Sequence, residues 1–506
     1  SLGAPPPLRS DDGTEALVLL RVPGDEDDPA RADLISTIIH DFDTDAGAAD
    51  RGPITVAVGG PERIFEQIGS TSEGDLARAE AIAIPLTLAL LIVVFAGVVA
   101  ALLPLVVGVV AVFGAFMTLF VITLVTDVSV FSINLVTALG LGLAIDYSLF
   151  IVSRFREELA NGRDVEAAVV RTVETAGRTV AFSAITVAIS LSALLIFPLY
   201  FLRSFAFAGV GVILVAMYTS VVALPAVLAV LGRRVDRWRV LPHREPAADG
   251  GVGHRLAVGV MRRPATVAVA GIALLLAAGL PFLRVEFGVP DDRVLPADDP
   301  ARAVSEMLRD DFSSAEADAF PVVASGATDD AAIAGFAMDV SNVDGVARDD
   351  ASTGRSVAGT LVQPPSPDRA ALGAADTTWF NVVPAVEPIS PEGEAVVADI
   401  RALDSSFDEV LVGGQSAALV DSKAAIFGLV PIAAALIAVA TFVLLFLMFG
   451  SVLVPLKAIV LNLLSLTATF GAMVWIFQDG NGADLFGFTA TGLTDTTTPI
   501  LMFCIA

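Results

Sequence analysis

Apolar runs long enough to cross a bilayer recur along this chain, and no other feature limits its fold as strongly. A hydrocarbon core about 30 Å thick needs roughly 20 consecutive apolar residues in helical form. Leu102–Val125 and Ala424–Phe449 both exceed that without a charged side chain. Of 506 residues, 55% are hydrophobic and only 17% charged, which excludes an ordinary soluble enzyme. The expectation is an α-helical polytopic membrane protein carrying α+β domains outside the bilayer.

Further spans are expected at Leu76–Val99, with a tight turn at Leu103-Pro104 before the next, and at Val128–Arg154, Thr179–Phe197, Ser204–Leu231 and Pro264–Leu283. Val452–Phe477 and an incomplete span from about Pro499 close the chain. Asp164–Arg178 sets Val165, Val169, Val173 and Ala176 on one face, as an interfacial amphipathic helix would. Residues 1–75 read as a soluble α+β piece with β-like runs at Ala16–Val22 and Ile54–Val58, the latter ended by Gly59-Gly60.

The formal net charge of −26 must lie outside the apolar spans. Residues 285–421 hold 26 acids against 7 arginines, whereas residues 232–263 hold 8 arginines and read as a hydrophilic linker. Lys423 and Lys457 are the only lysines, and no basic face suited to nucleic acid exists. By the positive-inside rule, the loop with Arg154, Arg156, Arg163, Arg171 and Arg178 and the 232–263 linker are cytoplasmic. Alternation then puts Asp127, residues 1–75 and residues 285–421 outside, in a cell membrane.

Cys504 stands alone in an apolar run, so it reads as helix packing. His40, His243 and His254 share no ligand spacing, and no metal or other cofactor is expected. No G-x-x-x-x-G-K-[ST] or G-x-S-x-G string appears, which argues against an ATPase or a serine hydrolase. The chain opens on Ser1 and stops at Ala506 inside an apolar run, so it is read as a fragment at both ends.

Internal repetition supports the layout. Residues 59–116 run from GGPERIF through a span, a proline turn and a second span with Gly114; residues 413–471 run from GGQSAAL through a span, a turn at Pro455 and a span with Gly471.

Gly140–Glu158 (GLGLAIDYSLFIVSRFREE) contains the most informative side chain, Asp146, the single acid in a run otherwise fit for hydrocarbon. A carboxyl there is costly and usually functional. Its charge state depends on access to water, and exposure to alternate sides would let a proton gradient do work. Ala138, Gly142 and Asp146 recur at every fourth residue, a small-residue face that lets another helix approach. Tyr147 can donate to or accept from a carboxylate, with a packing ring as the plainer reading. Ser183 is a candidate second donor, or a serine bonding its own backbone. Asn134 and Asn462 read as helix glue, Arg154 and Arg156 as cytoplasmic anchors, and Lys423 as a side chain snorkelling to the outer interface.

GLGLAIDYSLFIVSRFREE, followed by TVETAGRTVAFSA (Thr172–Ala184), resembles the fourth and fifth transmembrane helices of the MmpL family in the resistance-nodulation-division (RND) superfamily. The resemblance implies a proton relay through Asp146 and Tyr147, paired with a second Asp-Tyr on helix ten that would fall beyond Ala506. Ser148 stands where many members carry Gly. The implied order is the end of a first porter domain (1–75), helices two to six (76–231), the linker (232–263), helix seven (264–284), a second porter domain (285–422), then helices eight, nine and the start of ten (423–506). The implied activity is secondary active transport rather than enzymic chemistry: proton-driven export of lipids or other hydrophobic molecules, with membrane lipids and a possible second copy as partners. A translocation accessory of the SecD–SecF type and a sterol-sensing binding protein without transport share the superfamily's helix layout and remain open alternatives.

Overall fold

The computed structural model describes residues 8–20, 22, 29–42, 49–50, 54–126, 128–129, 131–238, 240, 252–296, 298–312, 315–326, 329–374 and 376–505. Asp127, His243 and the linker centre, residues 241–251, lie outside them.

The chain begins with α1 (Pro29–Phe42), the short pair β1 (Ala49–Asp50) and β2 (Thr55–Val56), and α2 (Pro61–Phe95). Then come α3 (Val98–Thr123), α4 (Phe131–Ala160), α5 (Val165–Thr172), α6 (Arg178–Ser192), α7 (Tyr200–Tyr218), α8 (Leu224–Leu231), α9 (Val252–Arg262) and α10 (Pro264–Gly279). The next stretch holds β3 (Phe287–Gly288), α11 (Pro300–Asp311), β4 (Phe320–Ser325), α12 (Asp330–Ser341), β5 (Val346–Ala351), β6 (Gly354–Val357) and β7 (Thr360–Gln363). It continues through α13 (Pro367–Ala370), β8 (Thr377–Pro384), α14 (Pro391–Arg401) and β9 (Glu409–Val412). Last are α15 (Gln415–Phe449), α16 (Leu453–Met473), α17 (Ala483–Phe486), β10 (Thr494–Asp495) and α18 (Thr498–Ile505). Among the described residues, eight helical stretches are long and apolar enough to cross a membrane.

The chain divides into two units, one of them residues 71–285, 425–475 and 497–506, whose described elements are all helical. At its centre α3, α4 and α7 pack through small residues. A Cβ on Gly140 of α4 would lie 2.6 Å from Val212 Cγ2 of α7, so the two backbones meet where a side chain is missing. In lipid such close approach replaces the hydrophobic drive that water supplies elsewhere. A second pair, α10 with α16, is closer still: a Cβ on Gly471 would fall on the Ala278 carbonyl oxygen.

Several expected boundaries move. Pro104 is buried inside α3, and the break between α2 and α3 falls at Ala96 (φ 53°) and Gly97. A membrane helix tolerates an internal proline because neighbours re-satisfy the freed carbonyl. Likewise Pro455 sits in the first turn of α16, where its missing N–H is harmless, and the chain turns at Gly450 (φ 64°) instead. Asp164–Arg178 is not a separate interfacial helix: α5 runs through a π-helical turn (Val173–Gly177) into α6, one 32-residue stretch from Val165 to Ile196. The 232–263 linker contains helix, α9, next to α10.

The other unit, residues 1–70, 286–424 and 476–496, is built on a six-stranded sheet of order β7-β6-β5-β8-β4-β9, antiparallel throughout. Alternation in β4 turns Phe320, Val322 and Ala324 to a core shared with Ile333, Phe336 and Val340 of α12 and Val396, Val397 and Ile400 of α14. Phe336 and Phe380 meet edge to face at 5.1 Å. On the other face Asp350 of β5 accepts hydrogen bonds from Arg348 (3.1 Å), Arg355 (2.7 and 3.0 Å) and Arg369 (3.1 Å). Burial would raise its carboxyl, but the Arg355 and Arg348 guanidiniums outweigh that and hold it below the usual carboxylate range. Asp349 points the opposite way, pairs across the sheet with Ser356 and Val382, and is fully buried with neither oxygen hydrogen-bonded.

In residues 1–75 the expected strand at Ala16–Val22 reduces to a bridge between Arg9 and Ala16, and Val18, Leu19 and Leu20 are exposed. At Ile54–Val58 only Thr55 and Val56 pair, with Ala49 and Asp50. The repeat is visible in the helices: α2 and α15 both span 35 residues, each entered through a glycine in the left-handed region, Gly60 (φ 116°) and Gly414 (φ 90°).

Candidate functional site

Asp146 is the sixteenth of the 30 residues of α4, so at 1.5 Å per residue it lies about 20 Å from either end. That depth matches the middle of a hydrocarbon slab. The helix is held here by packing more than by propensity: Gly140 lies buried against Val212 of α7, while Gly142 gains no such contact. Asp146 emerges on the exposed side of α4, and Ala138 and Gly142 on the same stripe are also exposed. A Cβ added to Gly142 would meet nothing within 4 Å, so this stripe is an open face at helical spacing.

Tyr147 turns inward. It is 5% exposed and belongs to the core of the helical unit. Its hydroxyl is buried and approaches Ser183 of α6, yet the pair lacks the geometry of a hydrogen bond. Ser183 itself is exposed. Asp146, Tyr147 and Ser183 are thus brought to one neighbourhood on α4 and α6, with Asp146 at the surface and the phenol beneath it.

Ser148, next in sequence, is fully buried and donates to the Ala144 carbonyl at 2.6 Å; its Oγ lies 3.5 Å from Ser220 Oγ. Ser220 sits in a second π-helical turn, Thr219–Ala223, between α7 and α8. Such turns concentrate at functional sites and have no compositional signature. Nothing in the residue pattern around Ser220 pointed to it.

The arginines beyond Asp146 make a charged cap at the end of α4. Glu158 is 3% exposed in its side chain and is clamped by Arg154 (2.5 Å) and Arg163 (2.6 Å). Arg156 pairs with Asp236 at 2.8 Å and lies over the Phe95 ring at 5.6 Å. Lys423, expected to snorkel, instead makes an ion pair with Glu394 of α14 at 2.5 Å. Asn134 lies near the start of α4, half-buried, and Asn462 is on α16, exposed; neither joins Asp146.

Comparison with known proteins gives one family match, the MMPL family, over residues 4–267 and 293–494. A putative membrane protein of Streptomyces coelicolor is 36% identical across 99% of this chain and 67% of its own length. The trehalose monomycolate exporter MmpL3 of Mycobacterium tuberculosis is 31% identical over 94% of this chain and 53% of its own. The mycolic acid-containing lipids exporter MmpL11 of Mycolicibacterium smegmatis is 28% identical over 91% of the chain and 48% of its own. The chain spans about half the length of these named exporters.

Proposed function

The chain belongs to the MMPL family of RND-type, multi-pass membrane proteins, and from that premise we propose that it is part of a proton-driven exporter of amphipathic lipids. The observation that carries this is Asp146, an acid at mid-span on an open, small-residue face of α4. An acid there is too costly to keep for packing alone. An incoming helix can reach it along Ala138 and Gly142, while Tyr147 offers a hydroxyl on its inner side and Ser183 one on the neighbouring exposed surface of α6.

In this reading protonation of Asp146 removes a charge from the lipid-depth face and lets the facing helices close; release to the other side reopens them. Tyr147 holds the proton's route against the bundle core, and Ser183 completes a hydroxyl pair when the helices shift.

Orientation follows from the arginines. With Arg154, Arg156, Arg163 and the 232–263 linker inside, the sheet-bearing unit lies outside the cytoplasmic membrane as a porter domain. Lipid is the cargo class because MmpL3 and MmpL11 are named lipid exporters. The test is Asp146→Asn in the complete protein, reconstituted in liposomes under a proton gradient. Loss of lipid transport with normal insertion is expected; flux equal to the parent's refutes the relay.

A further inference from the structure

Helix α9 has an apolar face that nothing among the described residues of the helical unit covers. None of its described side chains is buried, and Leu256, Val260 and Met261 are 69%, 39% and 68% exposed. At about 100° per residue, Leu256, Ala257, Val260 and Met261 fall on one side of the helix and Arg255 and Arg262 on the other. A helix so divided in water alone would expose its apolar side without compensation.

Its position says what that side meets. Only Arg263 separates α9 from α10, which begins with Pro264 and continues as a membrane span to Arg284. The backbone at Arg263 (φ −139°, ψ 59°) leaves the helical region, so α9 does not simply extend the span. The start of the linker carries a second mark of the same boundary. Trp238 is 65% exposed, and its carbonyl accepts from Val98 N–H at 3.2 Å while Val240 N–H donates to the Ala96 carbonyl at 3.1 Å. That ties the Trp238 backbone to the turn between α2 and α3, at the end of two spans, where aromatic side chains commonly anchor membrane proteins. Consecutive spans joined by one linker put Trp238 and α9 on the same side of the bilayer. In a chain of net charge −26, arginines 233, 234, 237, 255, 262 and 263 gather here.

We propose that α9 is a surface helix that inserts Leu256, Val260 and Met261 among the acyl chains of the adjoining leaflet and pairs Arg255, Arg262 and Arg263 with anionic phospholipid headgroups. The linker is then a sensor of leaflet charge rather than a passive tether, and it stands independently of the proton relay. Basic residues at an anionic surface attract additively, so each arginine removed should weaken the preference for anionic lipid roughly fivefold.

The test places bimane on Met261→Cys, in a Cys504→Ser background, with the chain in nanodiscs of phosphatidylcholine alone or mixed with phosphatidylglycerol. Lipid carrying a spin label high on the acyl chain should quench the probe, more strongly when phosphatidylglycerol is present, and added salt should remove that difference. The Arg255→Gln, Arg262→Gln, Arg263→Gln variant should keep the quenching and lose the phosphatidylglycerol dependence. Leu256→Ser with Val260→Ser should lose quenching in both discs. A probe untouched by labelled lipid, or shielded from both lipid and aqueous iodide as at a contact with a second copy, overturns the proposal. So does quenching that ignores phosphatidylglycerol.

Discussion

Replacing Asp349 by valine should make the sheet-bearing unit more stable. The acid is fully buried on the core face of β5, both oxygens lack a hydrogen-bond partner, and its neighbour across the ladder, Ser356, has a buried hydroxyl in the same condition. Burial pushes the Asp349 carboxyl well above the usual carboxylate range, and the charge of Asp350 pushes the same way. A buried polar group without a partner costs about 1–3 kcal/mol. Valine is branched like aspartate, favours strands and carries no polar atoms, so a gain of about 2 kcal/mol is expected. For a unit of this size, that is a rise in Tm of about 4–8 °C.

The pH dependence sharpens the test. A carboxyl whose pKa is raised in the folded state contributes fully below its unfolded value, and that contribution is lost as pH rises through the folded value. The parent should therefore weaken toward alkaline pH more than Asp349→Val, and the gap between them should widen with pH. Thermal unfolding of the full chain in detergent, followed by tryptophan fluorescence from acid to alkaline pH, measures both. A variant that melts at or below the parent, or a gap that stays constant with pH, refutes the account of Asp349 as an uncompensated acid.

On the opposite face, Asp350→Asn strips three arginines of their shared carboxylate and should cost about 3–5 kcal/mol, the usual penalty for breaking a part-buried charge cluster. Because the folded-state pKa of Asp350 is lowered, its stabilisation is present above the unfolded value and fades as pH falls through the folded one; an acid titration of Asp350→Asn should lack that step. Gly140→Leu should sharply reduce the yield of folded protein in a size-exclusion profile, since even a Cβ added there would lie 2.6 Å from Val212. A cysteine at Gly259, on the exposed surface of α9, should resist an impermeant thiol label applied to intact cells, and ready labelling would invert the orientation.

Some of this architecture was plain from residue order alone. The spans were readable because bilayer thickness sets a length that consecutive apolar residues must match, and no tertiary partner is needed to see it. Asp146 stood out for the same reason, as one acid in a long apolar run; the spacing of Ala138, Gly142 and Asp146 suggested close approach by another helix, whereas the structure leaves that face of α4 open. Break points were less legible. Proline marked turns in the expectation, but Pro104 and Pro455 lie within helices while Ala96–Gly97 and Gly450 turn the chain, because membrane neighbours and first-turn positions absorb a missing N–H.

Pairings between distant residues belonged to tertiary structure. Lys423 could snorkel or make an ion pair, and only the placement of α14 beside the root of α15 chose Glu394. Adjacent acids Asp349 and Asp350 look alike in order of residues; the pleat sends one to three arginines and the other into an apolar core. The reason is one of range. Hydropathy and period are local quantities carried by neighbouring residues, whereas a charge partner, a buried orphan or a hydroxyl across a π-helical turn depends on which elements the fold brings together.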